Sequence, residues 1–153
     1  IFPNKAEVVV VERNPIFIVC SLIQTGSCFY VDEAGFIYEE APQTEGSLIT
    51  TIKANQELKP GLQIFKAETI KNLSEFRDLL KTKANIPTKK IIIGEDVTFE
   101  TYEGWQIKLA LDSEFAERFN DLVLLLNSQI KENRSKLEYI DLTLPNRAYY
   151  RLK

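Results

Sequence analysis

Along the chain the apolar positions switch between a two-residue and a three-to-four-residue period, and the switches mark strands and helices. Lys5 to Val11 is a β-branched run whose four consecutive valines fit a strand covered on both faces. Pro15 interrupts that ladder, and Ile16 to Cys20 reads as a second strand. The turn residues Gln24-Thr25-Gly26-Ser27 join it to Cys28-Phe29-Tyr30-Val31, which predicts a hairpin. Asp32, Glu33 and Gly35 form the next turn before Phe36-Ile37-Tyr38. Glu39 to Gly46 reads as a loop containing Pro42, Ser47 to Ile52 as a short strand, and Lys59-Pro60-Gly61 as a turn.

The period then changes. Ile70, Leu73, Phe76 and Leu80 recur at helical spacing, Asn72 with Glu75 suggests a capping box in the first turn, and Pro87 lies beyond the end. Ile91-Ile92-Ile93 opens the second half. Val97, Phe99 and Thr101 alternate, as do Trp105, Ile107, Leu109 and Leu111, with Glu103-Gly104 as the turn between two strands. A second helix carries the stripe Phe115, Phe119, Leu122, Leu126 and Ile130, with Ser113 as its expected cap. Leu137 to Leu142 and Arg147 to Leu152 are strands around Pro145-Asn146. Strands, helix, strands, helix, strands is the order of an α+β fold, with a mostly antiparallel curved sheet and two helices.

Composition narrows the chemistry. A chain of 153 residues can bury one sizeable core without metal or multiple disulfides. Its net charge of −3 argues against a nucleic-acid surface. With no His in the chain, imidazole catalysis and His metal ligation drop out, and two Cys cannot close a zinc site alone. Neither a metal nor a cofactor is expected. No apolar run approaches the roughly 20 residues of a membrane span. The chain has no Met, so Ile1 reads as the start of a fragment or processed product, with any anchor preceding it.

Few residues carry candidate chemistry. Cys20 and Cys28 flank the first hairpin turn and could face each other as a disulfide in an oxidising compartment, or pack as two buried thiols. Asp32, Glu33, Glu39 and Glu40 cluster near loops and could supply a glycosidase-like acid and base, although carboxylates in turns are usually solvated. Asp112-Ser113-Glu114 looks like a cluster but is explained by helix N-terminal chemistry. The Glu12-Arg13 pair reads as an ion pair or a hydrogen-bonded corner at Pro15, and Trp105 as a core anchor. The C-terminal segment differs: from Arg134 onward it has five basic and two acidic residues. Its last strand sets Tyr149 and Tyr150 between Arg147 and Arg151. That is either an edge protected against aggregation or a docking edge, where Tyr and Arg dominate binding hot spots.

These segments together resemble a family. Phe2-Pro3, Val8 to Val11 and Glu12-Arg13-Asn14-Pro15-Ile16 are similar to the stretch of the FtsQ/DivIB bacterial cell-division proteins where a POTRA domain ends and a β domain begins. The run Tyr30 to Tyr38 around Asp32 and Gly35, the hairpin Thr101 to Trp105, and Leu137 to Leu142 followed by Pro145-Asn146-Arg147 and Tyr149-Tyr150 resemble later segments of that family, in its order. Thr143 departs from the pattern, because the family usually has Arg there. The resemblance implies that residues 1–14 are the last strand of a truncated POTRA domain and residues 15–153 the β domain. It further implies a non-catalytic scaffold of the divisome. Such a scaffold is a single-pass inner-membrane protein whose extracytoplasmic part works at the division septum and joins FtsB- and FtsL-like partners. In the family the partner adds along the last strands, which maps onto Asn146, Arg147, Tyr149, Tyr150 and Arg151 here. Adjacent tyrosines of a strand point to opposite faces, so one is expected to pack inward and the other outward. The competing readings are an extracytoplasmic hydrolase using the Asp32 to Glu40 carboxylates, and a POTRA-bearing outer-membrane assembly component whose mark would be a C-terminal barrel.

Overall fold

The structure, a computed structural model, describes residues 7–44 and 48–153. Its elements are β1 (Phe17–Ser21), β2 (Cys28–Val31), β3 (Ile37–Glu40), β4 (Thr51–Ala54), α1 (Ala67–Lys83), β5 (Thr88–Ile93), β6 (Asp96–Thr101), β7 (Gln106–Ala110), α2 (Phe115–Leu125), β8 (Leu137–Asp141) and β9 (Tyr149–Leu152). The strands form one open nine-stranded sheet in the order β3-β2-β1-β4-β5-β6-β7-β8-β9. The fold is α+β and the sheet is mixed, with parallel pairs β1–β4, β4–β5 and β7–β8 among antiparallel neighbours. Two of the parallel pairs have a helix as their crossover, α1 between β4 and β5 and α2 between β7 and β8. A parallel pair needs a connection of that length to bring the chain back to the same end of the sheet.

Both helices lie where the period changes. In α1, Ile70, Leu73, Phe76 and Leu80 are buried. The helix starts at Lys66 as N-cap, earlier than the expected Asn72–Glu75 box, so Asn72 lies within the helix and caps nothing. Asn85 in the left-handed region at φ 53° ends it, and Ile86 N–H closes onto the Leu80 carbonyl at 2.8 Å. In α2 the N-cap is Glu114 without a side-chain cap, and Ser113 instead donates its hydroxyl to Ala110 O at 2.7 Å. The helix then loosens into a π segment, Leu126–Ile130, and a 3-10 segment, Lys131–Lys136. The two helices and the sheet meet at Phe76, whose ring lies 4.9 Å from Phe99, 5.6 Å from Phe115 and 6.2 Å from Phe119. Such pairs each contribute about 0.5–1.5 kcal/mol beyond their buried area. Trp105 is buried, as expected for a core anchor.

The expected strand at Lys5 to Val11 is not formed over its described part: Val8, Val9, Val10 and Val11 are 78–84% exposed. A β-branched run becomes a strand only when a neighbour accepts its hydrogen bonds, and no strand among the described residues does so. Lys5, Ala6 and the Phe2-Pro3 pair lie outside the described residues, as do Glu45, Gly46 and Ser47 at the ends of the expected loop and strand. Glu39 and Glu40 belong to β3 rather than to that loop.

Candidate docking edge

The β8–β9 hairpin ends the sheet. Its connection is built by short-range polar contacts. The Asp141 carboxylate accepts from the Thr143 N–H at 3.0 Å and the Thr143 hydroxyl at 2.7 Å, so its partner is the residue two places on. Arg147 N–H donates to Leu144 O at 3.4 Å, with Pro145 and a left-handed Asn146 at φ 58° between them. Asn tolerates that region better than most residues, which suits it to the corner.

From this corner the chain returns as β9, paired to β8 as Asp141↔Tyr149, Ile140↔Tyr150 and Tyr139↔Arg151. The register sorts the side chains by face. Tyr150 lies beside the buried Ile140 on the face the helices cover. Tyr149 and Arg151 lie on the other face with Asp141 and Tyr139, the latter under the Lys108 ammonium at 4.6 Å. Tyr149 and Tyr150 are nevertheless 49% and 40% exposed, and every residue of β9 is exposed. The expectation that one tyrosine packs inward therefore fails: β9 lies past the helices, and the core face of its neighbour β8 is the last they bury. Asn146 and Arg147 are also exposed. Arg151 pairs with Glu138 at 3.0 Å, but both groups are well solvated and such a pair contributes little. All five residues assigned to docking thus sit on one corner and one edge, where a strand leaves half its backbone groups open to a further chain.

The remaining candidates lie elsewhere. Cys20 and Cys28 are directly opposed in the β1–β2 register and joined as a disulfide, buried at the other end of the sheet. Asp32 is buried and engaged: it accepts from Ala34 N–H at 3.1 Å, Phe36 N–H at 2.9 Å and Arg13 at 2.7 Å. This makes it the buckle of the β2–β3 turn, and it makes Asp32 rather than Glu12 the partner of Arg13. The Arg13 guanidinium also lies 5.7 Å from the Phe36 ring centroid and 5.9 Å from that of Tyr38. Asp112, Ser113 and Glu114 line a groove of about 830 Å³ between the N-terminal ends of α1 and α2, with Glu95, Asp96 and Lys66. Among the described residues no grouping of three or more His, Cys, Asp or Glu could hold a metal ion, and no helix is long and apolar enough to cross a membrane.

Two residues passed over in the sequence prove central. Arg134 forks onto the Glu103 carboxylate and donates to the carbonyls of Ala84 at 3.3 Å and Asn85 at 3.0 Å, tying the end of α1 to the β6–β7 turn. Glu103 also accepts from the Trp105 indole at 2.9 Å. Burial alone would raise the Glu103 pKa, but the hydrogen bonds from Arg134 and Trp105 and the Arg134 charge outweigh it and leave the carboxyl below its usual range. The other is Arg118, buried although it is charged. Its signal was a cation on the apolar stripe of α2.

No protein-family model matches this chain, and no curated protein matches it.

Proposed function

We propose that the chain is the β domain of an FtsQ/DivIB-type scaffold of the bacterial divisome, with residues 1–14 as the last strand of a preceding POTRA domain. It is non-catalytic and acts on the extracytoplasmic side of the inner membrane, anchored by a segment before Ile1. Its partners are FtsB- and FtsL-like proteins. The observation that carries this reading is the β9 edge, which no other strand among the described residues pairs on its outer side; it is exposed over its whole length and bears two tyrosines among basic residues. A partner strand would bond to its outer backbone, Tyr149 or Tyr150 would add apolar area, and Arg147 or Arg151 would add charge-assisted contacts to an acidic segment. The Cys20–Cys28 disulfide supports an oxidising compartment. The exposed valines of Val8 to Val11 fit a strand that completes a sheet built by another domain.

The test is a pull-down and binding titration with the extracytoplasmic segments of FtsB- and FtsL-like proteins from the same genome. The wild type is expected to bind at micromolar or tighter Kd, and a chain truncated before Asn146 to lose binding. Tyr149→Ala or Tyr150→Ala should weaken it about ten-fold or more, the loss expected of an interface anchor. A folded wild type that binds neither segment removes the main support for the scaffold.

A further inference from the structure

Arg118 breaks the pattern of its helix. It lies three residues after Phe115 and four before Leu122, on the stripe that packs into the core. A leucine there would continue the stripe; the chain instead buries an arginine whose side chain is 9% exposed. The position also lies close to the N-terminus of α2, where the helix dipole disfavours a cation. Burying a charge is costly unless its donors are satisfied, and a local rule broken in this way points to a role.

Its partners show what the role is. Arg118 pairs with Asp121 at 3.0 Å and Glu117 at 3.8 Å, both on its own helix. Their side chains are 41% and 72% exposed, so either could meet a solvated arginine and neither requires this one to turn inward. The inward contact is with the chain beyond β8: Arg118 donates to the Leu144 carbonyl at 3.5 Å. That carbonyl also accepts the Arg147 N–H that closes the corner before β9. Ala148, the next residue, packs against the core cluster.

We infer that Arg118 is a positioning residue for the open edge: it fastens the β8–β9 corner to α2 and so keeps β9 in register on the sheet, ready to receive a strand. The fastening itself stands on the geometry; its service to docking rests on the scaffold reading above. Asp121 shares the guanidinium nitrogen that reaches Leu144, and Glu117 lies near the other terminal nitrogen.

Arg118→Leu separates this role from simple space filling, because leucine restores the apolar stripe and leaves behind only carboxylates that water can reach. Hydrogen exchange of the wild type and Arg118→Leu is compared residue by residue, with Arg118→Lys as a second variant that keeps charge but loses the fork. The expected result is exchange about ten-fold faster or more at the β9 amides bonded to β8, with β5 and β6 amides unchanged. Arg118→Lys should shift the same amides by less. Unchanged β9 protection in both variants overturns the inference, and so does faster exchange spread evenly through β5 and β6. Titration with the FtsB-like extracytoplasmic segment forms the second arm, where Arg118→Leu should bind about ten-fold more weakly. If β9 loosens as expected while the wild type binds no segment, the fastening stands and the scaffold reading falls. If the wild type binds and Arg118→Leu binds equally well with β9 loosened, the link from fastening to docking is overturned.

Discussion

The two edges of the sheet are treated in opposite ways. At β3 the outer side is covered where the strand begins. Ile37 N–H donates to Leu62 O at 3.0 Å, Gly61 N–H donates to Ile37 O at 2.7 Å, and Ile64 N–H donates to Gly35 O at 3.0 Å. The segment from Gly61 to Phe65 therefore occupies the outward backbone groups at Gly35 and Ile37, where a foreign strand would begin to pair, and the exposed Glu39 and Glu40 place like charge on the rest of the strand. At β9, among the described residues, no segment lies alongside, and the exposed side chains are tyrosine, arginine and leucine. Edge strands are aggregation hazards that proteins normally blunt. A chain that blunts one edge with hydrogen bonds and leaves the other open differentiates its two ends, and that contrast is what supports assigning the open end to a partner.

The largest expected effect falls on the covered edge. Gly35 sits at φ 83°, and a Cβ there would collide with the Phe65 carbonyl of the covering segment. Gly35→Ala should lose about 3 kcal/mol or more, the left-handed strain adding to a steric displacement of backbone. Denaturant unfolding measures it, and an alanine variant as stable as the wild type would show that the cover is not closely fitted. The same substitution should leave β9 amide protection unchanged if the edges are independent.

Next comes the staple beside that edge. Replacing Cys20 and Cys28 together by Ser should cost about 2–3 kcal/mol, the entropy released to the unfolded chain when so short a loop is opened. Because both cysteines are buried, reductant alone should act only as the protein unfolds. Thermal melts with and without reductant test this, and a wild-type Tm indifferent to reductant after full unfolding would sink it.

The smallest effect concerns the β6–β7 turn, in the half of the sheet nearer the open edge. Glu103 has a depressed pKa in the folded state, so its contribution is present above the unfolded carboxylate range and is lost as pH falls through the folded value. The group is partly solvated, and screening holds the effect to about 1 kcal/mol or less. Glu103→Gln should flatten that acid limb of the stability profile, while leaving the neutral-pH fold intact. An unchanged acid limb in Glu103→Gln would remove Glu103 from the account.

Much of this architecture was legible from periodicity alone. The β1–β2 and β6–β7 hairpins, both helices and the final pair of strands fall where the apolar period places them, because a two-residue or 3.6-residue repeat is a local property of the chain. The opposition of Cys20 and Cys28 was one of two open readings, since a hairpin fixes their proximity but not their chemistry. The five residues at the terminal corner and edge were legible as a group because they are neighbours in sequence. What tertiary structure decided is non-local. Periodicity does not say which strands pair in parallel, and so it missed β1–β4, β4–β5 and β7–β8. It did not say that the exposed valines of Val8 to Val11 pair with no strand among the described residues, that Arg13 reaches Asp32, or that Arg118 reaches Leu144. Nor could it say which edge is covered, because a strand's own residues look the same whether or not a distant segment takes up its hydrogen bonds. Local sequence sets what each element can be; the hydrogen bonds and buried charges that join distant segments set which surfaces remain open.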